Sequence, residues 1–236
     1  MGWLTFAKVI NTFISYCPKI WDIVSKMKTT LVWKRLILEK RRITTSGRIK
    51  ELAVKMGKNG IRTIRYLQEH GYIVRVLRGF YYVRTPDERE GGYLEHSIYE
   101  IVAMVLKEKG VGRWYFGLET ALKLNNMTHE YYTTIYVITD SFETTKVIKI
   151  QNHDFRFLKW ANRHFEFGIS RTGMLRYSDK EKTVLDIAYQ TYRKNSGSDH
   201  PLNTIKEYSG LLDIAVMKTY LKRYPVRFQR FSEGMI

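Results

Sequence analysis

The sequence predicts an α+β protein in two parts, a winged helix-turn-helix followed by a mixed α/β domain, with an amphipathic helical segment ahead of both. Three observations carry this. Residues 31–86 run as helix, short strand, helix, turn, helix and β-hairpin. Between Lys26 and Arg89 stand 17 basic and 5 acidic residues, out of 40 and 23 in the whole chain. After residue 97, helical periodicity alternates with short β-branched and aromatic runs.

Residues 1–28 form the extension. Trp3, Leu4, Phe6, Val9, Ile10, Phe13 and Ile14 are interrupted by Lys8, Asn11, Pro18, Lys19 and Asp22. No apolar run reaches the ~18 residues of a spanning helix, and no small-residue cleavage site follows. Gly2 lacks the Ser or Thr that myristoylation needs, because Phe6 stands there. One or two amphipathic helices are expected here, available as a homodimer interface, without stable membrane insertion.

The second segment is the winged helix-turn-helix, residues 29–86. Leu31, Val32, Arg35, Leu36 and Leu38 fit one helical pattern, and Ile43-Thr44 is β-like. Thr45-Ser46-Gly47 offers an N-cap to a helix striped by Ile49, Leu52, Ala53 and Met56, and Gly57 stops it. Asn59 opens the next helix, with Ile61, Ile64, Leu67 and Gln68 expected inward and Gly71 at its end. Ile73–Leu77 alternates as a strand, Arg78-Gly79 turns, and Phe80–Val83 returns. One of Tyr81 and Tyr82 is expected to face the core.

Pro86–His96 is polar, carries two glycines and reads as a linker. The third segment, residues 97–236, opens on Ser97-x-x-Glu100, which reads as a capping box. Trp114–Phe116 is extended and Leu118–Leu124 helical. Ile135–Thr139, Val147–Ile150, Phe155–Leu158 and Phe165–Ser170 read as strands. Ser178-x-x-Glu181 reads as a second capping box, and Leu211–Tyr224 as a last helix.

A formal charge of +17, concentrated on a small helical module, points to an anionic partner, with double-stranded DNA first. The one cysteine, Cys17, excludes an internal disulfide framework and fits a reducing cytoplasm. A recognition helix keeps one face in the module's core and offers the other to the major groove. On the predicted phase, Asn59, Arg62 and Tyr66 point outward, flanked by Thr63 and Arg65. Asn pairs with adenine and Arg with guanine in that groove. Lys58 sits at the helix start, where backbone N–H groups also meet phosphate. Thr45 and Ser46 are placed for phosphate at the neighbouring helix start, and Arg75 and Arg78 on the hairpin.

Catalytic spacing is sparse. There is no glycine-rich phosphate loop and no zinc-like pairing of Cys or His. Ser25-x-x-Lys28 stands alone, and Asp140, Glu143 and Lys146 lack a nuclease's usual spacing. No catalytic residue, metal or cofactor is expected. The alternative is a nucleic-acid-processing enzyme, a nuclease or nucleotidyltransferase, which would need carboxylates converging in the larger domain.

Two segments of that domain, WYFGLETALKLNNMT (Trp114–Thr128) and YSDKEKTVLDIAY (Tyr177–Tyr189), resemble the signature stretches of the AbiEi family of antitoxins and transcriptional regulators of viral defence systems. The resemblance spans residues 31–190. It implies a winged helix that binds inverted repeats in its own promoter and represses it. It also implies a second domain that counteracts a nucleotidyltransferase toxin, AbiEii, without forming a stable complex, as in type IV systems. The matching positions are Tyr115, Gly117, Leu118, Ala121 and Leu122, then Glu181, Lys182, Leu185, Asp186 and Tyr189. Lys182 and Asp186, four apart, are spaced to pair on one helix face. The extension before Leu31 is longer than the family leads one to expect.

Overall fold

The computed structural model describes residues 29–194 and 200–232; the amphipathic extension therefore lies outside the described residues. The protein is mixed α+β with a mixed sheet, and it divides into two compact units, Met1–Ser97 and Ile98–Ile236.

In the first unit, residues 29–38 are helical (α1). There follow β1 (Ile43–Thr45), α2 (Ser46–Lys55), α3 (Gly60–Glu69), the hairpin β2 (Ile73–Leu77) and β3 (Phe80–Val83), and α4 (Pro86–Glu90). The three strands form an antiparallel sheet in the order β1-β3-β2. Both helix starts are capped by side chains: Thr45 Oγ1 accepts from the Arg48 N–H and Asn59 Oδ1 from the Arg62 N–H. The core gathers Val32, Trp33, Leu36, Ile49, Leu52, Leu67, Tyr72 and Tyr81. The Trp33 indole N–H donates to the Arg84 carbonyl at 2.8 Å, tying α1 to the end of the hairpin.

Several sequence expectations need correction here. Leu31 and Leu38 are exposed, and Trp33 takes the inner position with Val32 and Leu36. Strand β2 does not alternate. Opposite Tyr81 and Phe80 it spends three residues, Arg75 to Leu77, so a bulge at Val76 lets Val76 and Leu77 both turn inward. On α3 the buried positions are Gly60, Thr63 and Leu67, whereas Ile61 is 66% exposed. Gly60 sets this phase: a Cβ there would lie 2.9 Å from Lys50 Cα, so only glycine lets α3 approach α2 along that line. Tyr81 and Tyr82 are both buried.

The expected linker is ordered structure. Thr85 and Glu88 form a capping box that starts α4 behind Pro86. From α4, Arg89 lies over the Tyr72 ring at 4.2 Å.

The second unit is built on a six-stranded sheet, ordered β6-β7-β5-β4-β9-β8. Its strands are β4 (Trp114–Phe116), β5 (Thr134–Thr139), β6 (Ile148–Ile150), β7 (His153–Lys159), β8 (Ile169–Thr172) and β9 (Leu175–Ser178). Pairs β5–β7 and β4–β9 are parallel, the others antiparallel. The helices are α5 (Ile98–Glu108), α6 (Glu119–Leu124), α7 (Lys180–Lys194), α8 (His200–Tyr208), α9 (Ile214–Leu221) and α10 (Val226–Ser232). One core joins Leu122, Val184, Leu185, Met217, Tyr224 and Phe228; another joins Tyr115, Leu118, Ile138 and Trp160.

Where a strand was expected over Phe165–Ser170, a 3-10 turn (Asn162–Phe165) precedes β8. The expected last helix, Leu211–Tyr224, is shorter: it starts behind the Asp213 cap and ends at Leu221, and a further helix, α10, follows it. Ser178 does not cap α7: its hydroxyl bonds Thr183 Oγ1 at 2.7 Å, and Asp179 Oδ1 accepts from the Lys182 N–H instead. Glu181 reaches away to accept from the Asp213 N–H at 3.0 Å.

Candidate nucleic-acid interface

Helices α2 and α3 carry no acidic residue in the first turn, where the macrodipole normally draws one. Both N-termini are therefore electropositive without an internal counter-charge in that turn. The Ser46 N–H donates to the Gly79 carbonyl at 2.8 Å, which brings the start of α2 against the hairpin turn bearing Arg78. Arg62 and Arg65 on α3, Arg75 on β2 and Arg78 in the turn are all exposed.

The other predicted contacts are placed differently. Thr63 is 3% exposed and belongs to the core, so it is no part of a reading face. Asn59 spends its side-chain carbonyl on the Arg62 N–H at 3.0 Å. A bidentate adenine contact needs that same oxygen, so capping and reading compete. Tyr66 is partly buried, stacked on His70 with ring centroids 4.0 Å apart and packed against the core. Thr45 is committed to its cap, Ser46 lies beside it partly exposed, and Lys58 is partly buried. The residue that sequence reasoning missed is Ile61, an exposed apolar side chain next to Arg62 on α3. Its only sequence signal was that the helix carries two competing inner faces.

Behind the hairpin sits a polar network. Glu88, 1% exposed, accepts from the Tyr82 hydroxyl (2.5 Å) and from the N–H groups of Glu95 (2.7 Å) and Thr85 (2.8 Å). Arg42 pairs with Glu88 at 3.3 Å and also with Glu95. Burial pushes the Glu88 carboxyl up, but Tyr82, the two N–H groups and Arg42 outweigh it and hold it below the usual range. Glu88, Glu95 and His96 are the one grouping of three potential metal ligands among the described residues. The Arg42 guanidinium already supplies the positive charge there, so the donor set suits an internal ion pair better than a metal.

In the second unit, Lys182 and Asp186 pair at 3.1 Å, both wholly buried. The hydroxyls of Tyr115 and Tyr224 donate to Asp186 at 2.9 and 2.5 Å. The Lys182 ammonium lies over the rings of Phe167 (4.3 Å), Tyr115 (4.9 Å) and Tyr224 (5.8 Å). Gly168 has φ +59°, and a Cβ on it would lie 2.8 Å from Lys182 Cβ. The spacing of Lys182 and Asp186 on α7 thus builds an interior ion pair rather than a surface one. Asp140 is partly buried, and Glu143 and Lys146 are exposed. No group of three metal-ligating side chains forms in this unit among the described residues.

Near this pair His164, 2% exposed, is ringed by Trp160, Tyr189 and Tyr224, and its Nδ1 has no partner. Burial, helped by the Lys182 cation, lowers its pKa to about 3. The unfolded chain takes up that proton near pH ~6.5, so it binds more protons than the folded one below that pH. Stability should therefore fall as pH drops from about 6.5 towards about 3, by at most ~1.4 kcal/mol per pH unit from this group. Urea midpoints at several pH values should show a shallower acid-side fall for His164→Phe; parallel profiles would refute the assignment.

No described helix is long and apolar enough to cross a membrane. No family model matches the chain, and no curated protein matches it.

Proposed function

We propose that residues 29–86 form a winged helix-turn-helix that binds double-stranded DNA, and that the protein is a transcriptional repressor of its own promoter. One observation carries this reading: helices α2 and α3 and the hairpin, in sheet order β1-β3-β2, present Arg62, Arg65, Arg75 and Arg78 to solvent while neither helix start holds an acidic residue. That arrangement suits a helix laid in the major groove with a wing against the backbone. The likeness of Trp114–Thr128 and Tyr177–Tyr189 to AbiEi antitoxins supports a second role, counteracting a nucleotidyltransferase toxin from the cytoplasm. An inverted-repeat operator would be read by two copies of the chain.

The test is binding of the purified protein to its own upstream DNA against scrambled DNA, across a salt series. The expected result is a preference for upstream DNA, with log affinity falling by ~0.9 per phosphate contact for each tenfold rise in salt. Equal binding to both sequences would sink the repressor reading.

Ile61 sharpens the expectation. An apolar side chain on the presented face of α3 would meet a thymine methyl in the groove. Replacing operator thymines by deoxyuridine should then cost the wild type about 1 kcal/mol, roughly one buried methyl. Ile61→Ala should lose a similar amount on ordinary DNA and be indifferent to deoxyuridine. Arg62→Ala should cost ~1–3 kcal/mol on the specific site and less on random DNA. Equal losses on both would make Arg62 a phosphate contact.

A further inference from the structure

The second unit contains a cleft that the DNA-binding reading does not use. It has a volume of about 500 Å³, between the C-terminal half of α5, the turn that follows it and the β8–β9 hairpin. That size is ordinary for a small-ligand site. Its cationic side chains are Lys107, Arg171 and Arg176, and no carboxylate lines it among the described residues. Met104 and Met174 form its apolar sides, and Met174 is 44% exposed. Methionine packs adaptably against flat, polarisable groups.

Arg176 is fixed before any ligand arrives. Its Nη1 donates to the Gly112 carbonyl at 3.0 Å, and its guanidinium lies over the Trp114 ring, 5.6 Å from the centroid. Trp114 is only 5% exposed, so it backs the guanidinium rather than meeting the solvent. A guanidinium tethered through one Nη beside a buried ring presents a planar cation on which a base can stack. Lys107 and Arg171 are exposed and supply charge to a phosphate at the rim.

We propose that this cleft binds a nucleotide, the base stacked on Arg176 and the phosphate held by Lys107 and Arg171. The shared chemistry is a base carrying a phosphate, either free or at the end of a nucleic-acid strand. The inference does not depend on the winged-helix reading, because every residue in it belongs to the second unit.

The experiment is calorimetric titration of the full chain with AMP, GMP, CMP and UMP. Adenosine, inorganic phosphate and a 5′-phosphorylated single-stranded hexanucleotide are titrated in parallel. At least one mononucleotide or the hexanucleotide should bind ten times more tightly than phosphate or adenosine. Lys107→Ala with Arg171→Ala, both at exposed positions, should weaken that binding at least tenfold while the melting curve stays unchanged. Arg176→Lys keeps the charge but loses the plane, and should weaken nucleotide binding more than phosphate binding. Mononucleotide binding would identify a free ligand; hexanucleotide binding alone, lost in the double variant, would identify a strand end. Binding no tighter than phosphate, or indifferent to the double variant, would overturn the proposal.

Discussion

Asp186→Ala is expected to destabilise the second unit by about 3–5 kcal/mol, a typical cost of removing one partner from a buried ion pair. Lys182 and Asp186 are both fully buried, so the substitution leaves the ammonium without its counter-charge away from bulk solvent. The substitution also strands the hydroxyls of Tyr115 and Tyr224, which both donate to it. Burial alone pushes the Asp186 carboxyl up and the Lys182 ammonium down. Their mutual attraction and the two tyrosine donors oppose this, and the substitution removes that support from Lys182 at once. Urea unfolding of the full chain, followed by fluorescence and by circular dichroism, would read the loss. A stability within about 1 kcal/mol of wild type would contradict the buried pairing. The fourfold replacement Lys182→Met, Asp186→Leu, Tyr115→Phe and Tyr224→Phe should restore most of it, since apolar isosteres often match a buried pair. If that variant folds but loses the DNA binding or the toxin neutralisation proposed above, the polar groups have a role beyond packing.

Glu88→Ala is the second large effect, expected at roughly 3 kcal/mol or more in the first unit. The carboxylate serves Tyr82, two backbone N–H groups and Arg42, all at a site that is 1% exposed. Leaving buried donors without an acceptor costs about 1–3 kcal/mol each, more where a charge is involved. Because its folded pKa is lowered, the stabilisation from this group is present above its unfolded pKa of ~4.3 and is lost as pH falls through the folded value. Glu88→Gln should therefore be less stable than wild type at pH 7 and nearer to it at pH 3. Identical losses at both values would show that the charge is not what holds the network.

Much of the first unit is legible in the sequence because its signals are local. Thr45 and Asn59 cap where they should, and Gly57, Gly71 and Gly79 have φ values of 67–83° at the predicted stops and turn. The errors come from partners far along the chain. Pro86–His96 looks like a linker until Arg42 and Tyr82 gather its acidic residues from more than forty and from six residues away. The face of α3 was ambiguous because Ile61-Ile64-Gln68 and Gly60-Thr63-Leu67 both fit helical spacing, and only the approach to Lys50 decides between them. Of the ten predicted contact residues, Arg62, Arg65, Arg75 and Arg78 stand exposed; Thr63 is inside, and Asn59 and Thr45 are spent on capping. In the second unit the pairing of Lys182 with Asp186 was legible from their spacing. Their burial was not, since it depends on rings from β4, from the stretch before β8 and from the turn between α9 and α10.

The contact between Gly168 and Lys182 also bears on how this chain can drift over generations. A side chain at Gly168 would collide with the lysine stem, and a lysine without Asp186 would be stranded, so each position vetoes changes at the next. Descendants would keep Tyr115, Gly168, Lys182, Asp186 and Tyr224 as a block or exchange several together. A pattern of that kind can outlive a change of partner or activity, because selection for a filled interior is enough to hold it.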